Sequence, residues 1–224
     1  MPITTIVFDM DGILVDSEVY WRECREAFAR DRGLAWTAED QRLAMGRNTL
    51  EWARVMRERL GLELPVEAIA EEMIGRVKAR YEERLPLLPG ALAAVHALAG
   101  RYRVALASGS PPSLIRTVLA EANLEGVFEV VVYGDDMPHG KPAPDIYLET
   151  LRQLRVAPGH AVGIEDSANG VRALKAAGMI AVAVPSPGFS LPPDVIALAD
   201  RVLDSMQQLT LAVIEGLDES APPA

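Results

Sequence analysis

The stretch Thr4-Thr5-Ile6-Val7-Phe8-Asp9-Met10-Asp11-Gly12 decides the fold. A short β-branched and aromatic run ends at an aspartate and is followed by a glycine where a turn is allowed, the pattern of a buried strand that delivers Asp9 to its carboxyl end. From about residue 17 to residue 84 the period changes to that of helices. Trp21, Cys24 and Phe28 recur at three and four residues, as do Val66, Ile69, Met73, Val77 and Tyr81. Arg22, Glu26, Arg30 and Asp31 lie between the apolar positions, so the segment predicts amphipathic helices in a small bundle, with no convincing strand. Leu85-Pro86-Leu87-Leu88-Pro89-Gly90 ends it, because two prolines and a glycine in so short a span oppose a helix. Downstream, strand-like runs at 104–107, 130–132, 161–164, 180–184 and near 202–203 alternate with helices starting near Pro111, Pro144 and Ser167. Alternation of this kind predicts an α/β, doubly wound, mostly parallel sheet with helices on both faces. The core domain is residues 1–16 and 85–224, interrupted by a helical insert over 17–84. Pro185-Ser186-Pro187-Gly188 and the tail from Asp218 read as loop and frayed terminus.

Composition narrows the function. Half of the 224 residues are hydrophobic, yet no run approaches the roughly 18 consecutive apolar residues of a membrane span. The N-terminus runs straight into the first strand without a basic or long apolar segment, so the expectation is a cytoplasmic protein. Cys24 is the sole cysteine, which rules out an intramolecular disulfide and a cysteine metal cluster; it reads as a helix core residue. A net charge of −10 argues against nucleic-acid binding but leaves room for a small phosphorylated ligand held by local cations, a metal and backbone N–H groups. His96, His139 and His160 show no metal-like spacing. With no apolar stripe outside the expected core, a monomer is expected.

In open α/β sheets ligands bind outside the carboxyl ends of the strands. The residues at those ends form a set: Asp9 and Asp11, then Ser108-Gly109, then the loop to Lys141, then Glu165-Asp166. Phosphoryl transfer needs a nucleophile, a cation, donors for the non-bridging oxygens and a proton donor for the leaving group, and these four loops supply all of them. Converging carboxylates call for a hard cation, and all-oxygen ligation suits Mg²⁺.

Four segments carry a resemblance. The run from Phe8 through Asp9, Asp11 and Gly12 to Glu18, then Ala107-Ser108-Gly109-Ser110, Gly140-Lys141-Pro142-Ala143-Pro144-Asp145, and Gly163-Ile164-Glu165-Asp166-Ser167 resemble, in order, the motifs of haloacid dehalogenase-type phosphotransferases. The resemblance implies a Rossmann-like core and an aspartyl-phosphate on Asp9, whose other oxygen ligates Mg²⁺. Asp11 then serves as acid and afterwards as base, its backbone carbonyl on the metal. Asp166 is a direct or water-bridged ligand, and Glu165 a ligand or a support behind it. Ser108, the N–H of Gly109 and Lys141 hold the phosphate. Dehalogenation is disfavoured, since that branch lacks the second aspartate. Asp16 and Glu18 read as caps of the first insert helix.

The insert is similar to the helical cap of the subgroup that contains sugar-phosphate phosphatases and β-phosphoglucomutase, and substrate choice is expected within residues 17–84. Met45-Gly46-Arg47-Asn48-Thr49 resembles the substrate loop of such caps: Arg47 and Asn48 read either as ligands of hydroxyls or a distal phosphate, or as a helix cap and a solvated side chain. Lys78 is a further candidate. Trp21 stands where the mutase has a histidine that restrains the acid/base aspartate, which favours a phosphatase of small sugar or polyol phosphates; it reads equally as a core residue. The alternatives are a phosphosugar mutase and a non-catalytic binding protein, the latter requiring loss of residues that are all present.

Overall fold

The computed structural model describes residues 2–44, 47–186 and 190–219. Strand β1 (Thr5–Phe8) is followed by four helices, α1 (Ser17–Arg30), α2 (Ala38–Ala44), α3 (Thr49–Leu60) and α4 (Val66–Glu83). Then come α5 (Ala91–Ala99), β2 (Arg103–Ser108), α6 (Pro112–Glu121), β3 (Val130–Tyr133), α7 (Asp145–Leu154), β4 (Ala161–Glu165), α8 (Ala168–Ala176), β5 (Ile180–Ala183), α9 (Pro193–Leu198), β6 (Arg201–Val202) and α10 (Leu211–Glu219). All strand pairings are parallel and the order is β3-β2-β1-β4-β5-β6, which puts β1 in the middle of the sheet. Chain order turns back at β1 and β4, the switch point at which such sheets open a crevice for ligands.

The two faces of the sheet are built differently. Ile6 and Phe8, in register with Val104 and Leu106 on one side and with Val162 and Ile164 on the other, fill one face with large side chains. The opposite face carries Val7, Ala105, Ala107, Ala161, Ala181 and Ala183. Small residues there let α7 and α8 approach closely: a Cβ at Gly163 would overlap the side chain of Leu174 on α8. Period-two alternation of large and small therefore sets how near each helix layer lies.

The expected sheet and its flanking helices are present. Helices α5, α9 and α10 add to the predicted elements. Asp218 is not in a frayed tail but in α10, where its carboxylate accepts from the N–H of Ile3 at 3.1 Å and ties the C-terminal helix to the start of the chain. Of the expected loop at 185–188, Pro187 and Gly188 lie outside the described residues, as do residues 220–224 of the tail. Cys24 is buried in α1.

Candidate active site

Asp9 follows β1 directly, its N–H bonded to the carbonyl of Ile164 on β4, so its position is fixed by the sheet itself. It is 6 % exposed. Lys141 donates to Asp9 Oδ1 at 3.0 Å and to Glu165 Oε1 at 2.6 Å. Glu165 is wholly buried and its oxygens are saturated: Oε1 also accepts from the Tyr147 hydroxyl at 2.7 Å, and Oε2 from the N–H groups of Asp166 and Ser167 and from Ser167 Oγ. Such a carboxylate has little capacity left for a metal and acts instead as the anchor of Lys141. Asp166 Oδ2 accepts from Ser186 Oγ at 2.6 Å. Asp11 Oδ2 accepts from Ser110 Oγ at 2.7 Å and Ser108 Oγ at 3.3 Å, while its Oδ1 is buried with no hydrogen-bond partner. Gly12 closes this turn at φ +76°, and a Cβ there would collide with the Asp166 carboxylate and the Ser186 hydroxyl, so glycine is required twice over.

The electrostatics of the cluster suit a cation. Burial, opposed only in part by Lys141, pushes Asp9 well above the usual carboxylate range. Burial and the neighbouring Glu165 push Asp166 up to about 7. For Glu165 burial acts in the same direction, yet Lys141, Tyr147 and the Ser167 N–H outweigh it and hold the group below the usual range. Burial also disfavours the charged Lys141, but Asp9 and Glu165 together keep its ammonium protonated well above the ordinary value. Asp9, Glu165 and Asp166 each bring an oxygen within 4.8 Å of the others. Asp9 and Asp166 each keep one oxygen that no donor among the described residues reaches. This oxygen-rich, under-neutralised cluster fits a hard divalent ion.

A cavity of about 370 Å³ lies above these groups, between the sheet edge and the insert. Asp9, Asp11, Gly109, Lys141 and Asp166 line it from below, and Glu18, Trp21, Arg25, Arg47, Asn48 and Trp52 from the insert side. Ser108 is fully buried and bonds Asp11 and the N–H of Ser110. Trp21 is buried against Trp52 in edge contact, with ring centroids 5.2 Å apart, and also lines the cavity. Asn48 is the N-cap of α3, with a reciprocal bond pair to Glu51, so the capping reading describes its side chain. Arg47 is exposed near the rim, its Nε donating to the carbonyl of Leu43 at 2.6 Å. Met45 and Gly46 lie outside the described residues.

Three expectations need correction. Lys78 does not line the cavity: one position past the buried Val77 on α4, it turns outward and pairs with Glu82. Asp16 occupies the N-cap of α1 but makes no side-chain capping bond, its backbone not being extended there. Glu18 does not cap either; it faces the cavity and accepts from the Gln41 amide. The sequence reading missed Arg25, Ser110 and Ser186. Arg25 was detectable, since it lies four residues after Trp21 and three before Phe28, on the stripe that α1 buries.

A buried carboxylate at the centre of a parallel sheet, a lysine held against it and an acidic cluster at the adjoining strand end define a phosphoryl-transfer hydrolase on a doubly wound α/β core. Residues 3–178 match the family model for haloacid dehalogenase-like hydrolases, and the chain belongs to that family and is an enzyme of the phosphoric monoester hydrolase class. It is 34 % identical over 175 residues to a phosphorylated carbohydrates phosphatase of Thermotoga maritima, covering 78 % of this chain and 81 % of that one. It is 30 % identical over 225 residues to hexitol phosphatase B of Escherichia coli K12, covering 93 % and 95 %. The crystal structure of CbbY from Rhodobacter sphaeroides in complex with phosphate superposes with a TM-score of 0.81 at 28 % identity, covering 95 % and 99 %. No described helix is long and apolar enough to cross a membrane.

Proposed function

We propose that the chain is a Mg²⁺-dependent phosphatase of sugar or polyol monophosphates, acting through an aspartyl-phosphate on Asp9, with residues 17–84 as a cap over the site. One observation carries this reading: Asp9 stands 3.0 Å from Lys141 with one oxygen free, and Asp11, two residues on, is gripped on one oxygen and unpaired on the other. An oxygen of Asp9 attacks phosphorus as the ester P–O bond breaks, and Asp11 gives its proton to the departing oxygen. Asp11 then takes a proton from water, whose oxygen attacks the phosphoryl group, releasing inorganic phosphate and restoring Asp9. The N–H of Gly109 and Lys141 hold the phosphate oxygens, and Ser108, fully buried and bonded to Asp11, supports them from behind rather than lining the cavity as the sequence suggested.

Asp9, Asp166 and the backbone carbonyl of Asp11 would hold Mg²⁺, with Glu165 behind them. Bound there, the ion neutralises the carboxylates and draws charge from the phosphoryl oxygens. The substrate class rests on a cavity of about 370 Å³, the size of a small-molecule site. It also rests on the phosphorylated carbohydrates and hexitols named for two relatives. The partner is a small metabolite rather than a nucleic acid, in line with the charge of −10, and the protein works as a monomer.

Phosphate release from a panel of sugar, polyol and nucleotide monophosphates, with Mg²⁺ or with EDTA, tests the reading. Release should need the metal and fall roughly 10³-fold or more in Asp9→Asn, as expected for loss of a covalent nucleophile. Isomer exchange without phosphate release when glucose 1,6-bisphosphate is supplied would overturn it in favour of a mutase.

A further inference from the structure

Arg25 is 4 % exposed, yet its Nε and Nη1 have no hydrogen-bond partner. Buried charged donors are as a rule satisfied, so an orphaned guanidinium facing a cavity signals an absent acceptor. Its placement does not depend on that acceptor. The guanidinium carbon lies 5.1 Å from the Trp21 ring centroid and 5.7 Å from that of Trp52. Aromatic contacts of this kind hold the cation while leaving its N–H groups unused. Burial, countered in part by Glu18, lowers its pKa to about 10, so it stays charged at neutral pH.

Glu18 lines the same cavity. One of its oxygens takes the Gln41 amide N–H, and that amide is oriented by Trp36, whose indole N–H donates to Gln41 Oε1 at 2.7 Å. Its other oxygen meets no donor among the described residues, and neither Nε nor Nη1 of Arg25 bonds to it. The insert side of the cavity thus offers spare donors and a spare acceptor, neighbouring and of opposite charge. A hydroxyl uses one of each. A carboxylate or phosphate uses donors alone and is repelled by Glu18, in a cavity lined by five carboxylates and three Lys or Arg side chains.

We propose that Arg25 and Glu18 form the leaving-group subsite and select a neutral, hydroxyl-bearing chain over one that carries a second phosphate or a carboxylate. The inference rests on the phosphatase reading and deepens it. Specificity then comes from leaving buried polar groups unpaired when the wrong ester binds.

The test compares wild type, Arg25→Met, Arg25→Lys and Glu18→Gln on a hexitol monophosphate, the bisphosphate of the same hexitol and p-nitrophenyl phosphate, with melting curves to check folding. The ratio of kcat/KM for the hexitol ester to that for the p-nitrophenyl ester should fall roughly 10- to 100-fold in Arg25→Met, as expected for lost hydrogen bonds to a charged group. Arg25→Lys, which keeps the charge but not the planar fork, should restore the ratio only in part. Glu18→Gln should lower it about tenfold and raise the relative rate on the bisphosphate. A ratio that does not move in the folded variants, or a wild type that prefers the bisphosphate, overturns the inference while leaving the phosphatase reading intact. Failure of wild type to hydrolyse any ester sinks both.

Discussion

The floor and the ceiling of the cavity obey opposite rules. On the floor, supplied by the sheet, each side chain is tied by hydrogen bonds even where an oxygen stays free on Asp9, Asp11 and Asp166: Glu165 accepts five hydrogen bonds, Lys141 joins two strand ends, and two serines hold one oxygen of Asp11. On the ceiling, supplied by the insert, Arg25 and Glu18 keep donors and an acceptor in reserve, and packing against Trp21 and Trp52 replaces hydrogen bonds as the means of placement. Chemistry common to any phosphate ester needs a fixed geometry, so its groups are tied to the rigid sheet. Recognition of the rest of the molecule needs unfilled valences, which only the ligand completes.

The sharpest way to break this contrast is to untie the floor. Glu165→Ala leaves Lys141 with Asp9 alone and removes the acceptor of the Tyr147 hydroxyl in a fully buried place. Removing one partner of a buried pair costs about 3–5 kcal/mol. Urea unfolding should show a loss of that order, together with near-complete loss of phosphatase activity. A variant as stable as wild type would mean that Glu165 is not the anchor of the floor.

Next in size is a test of the layer beneath. Gly163→Ala drives a Cβ into Leu174, and overpacking of this kind costs about 1–3 kcal/mol. Because β4 leads straight into Glu165, activity should fall along with the melting temperature. Loss of stability with unchanged turnover would show that α8 yields without moving the strand end.

A smaller effect separates positioning from stability. Ser110→Ala removes the 2.7 Å bond to Asp11 but leaves Ser108 on the same oxygen at 3.3 Å. One hydrogen bond to a charged group is worth roughly 1.5 kcal/mol or more, so kcat should drop about tenfold with KM little changed. A rise in KM at constant kcat would place Ser110 in ground-state binding instead.

How far the sequence can be read follows the same division. The sheet is legible because a parallel strand buried on both faces is an unbroken apolar run, and because Asp9, Ser108 and Glu165 each stand where such a run stops. The four motif loops need no periodicity to be found. Arg25 is hidden because a charged residue between apolar ones normally faces water; only its place on the Trp21–Phe28 stripe marks it as buried. Ser110 and Ser186 are hidden for another reason: hydroxyls in loops carry no periodic signal, and their contacts span 99 and 20 residues. Glu18 reads as a cap from local spacing alone, and the long-range pair with Gln41 overrides that.

The weakest expected effect comes from the ceiling's own scaffold and tests whether the insert can be altered without touching chemistry. Asn48 accepts from the N–H of Glu51 at 3.0 Å, and Glu51 reaches back to the N–H of Asn48, so Asn48→Ala removes half of a capping box at the start of α3. Such a loss costs about 1 kcal/mol. Helix α3 carries Trp52, against which Trp21 and Arg25 pack, so the change should reach the hexitol ester through KM. Lys78→Ala, on the outward side of α4, should alter neither KM nor kcat. If Asn48→Ala instead lowered kcat equally for hexitol and p-nitrophenyl esters, the ceiling would govern the chemical step through closure of the site, and the separation of floor from ceiling would fail.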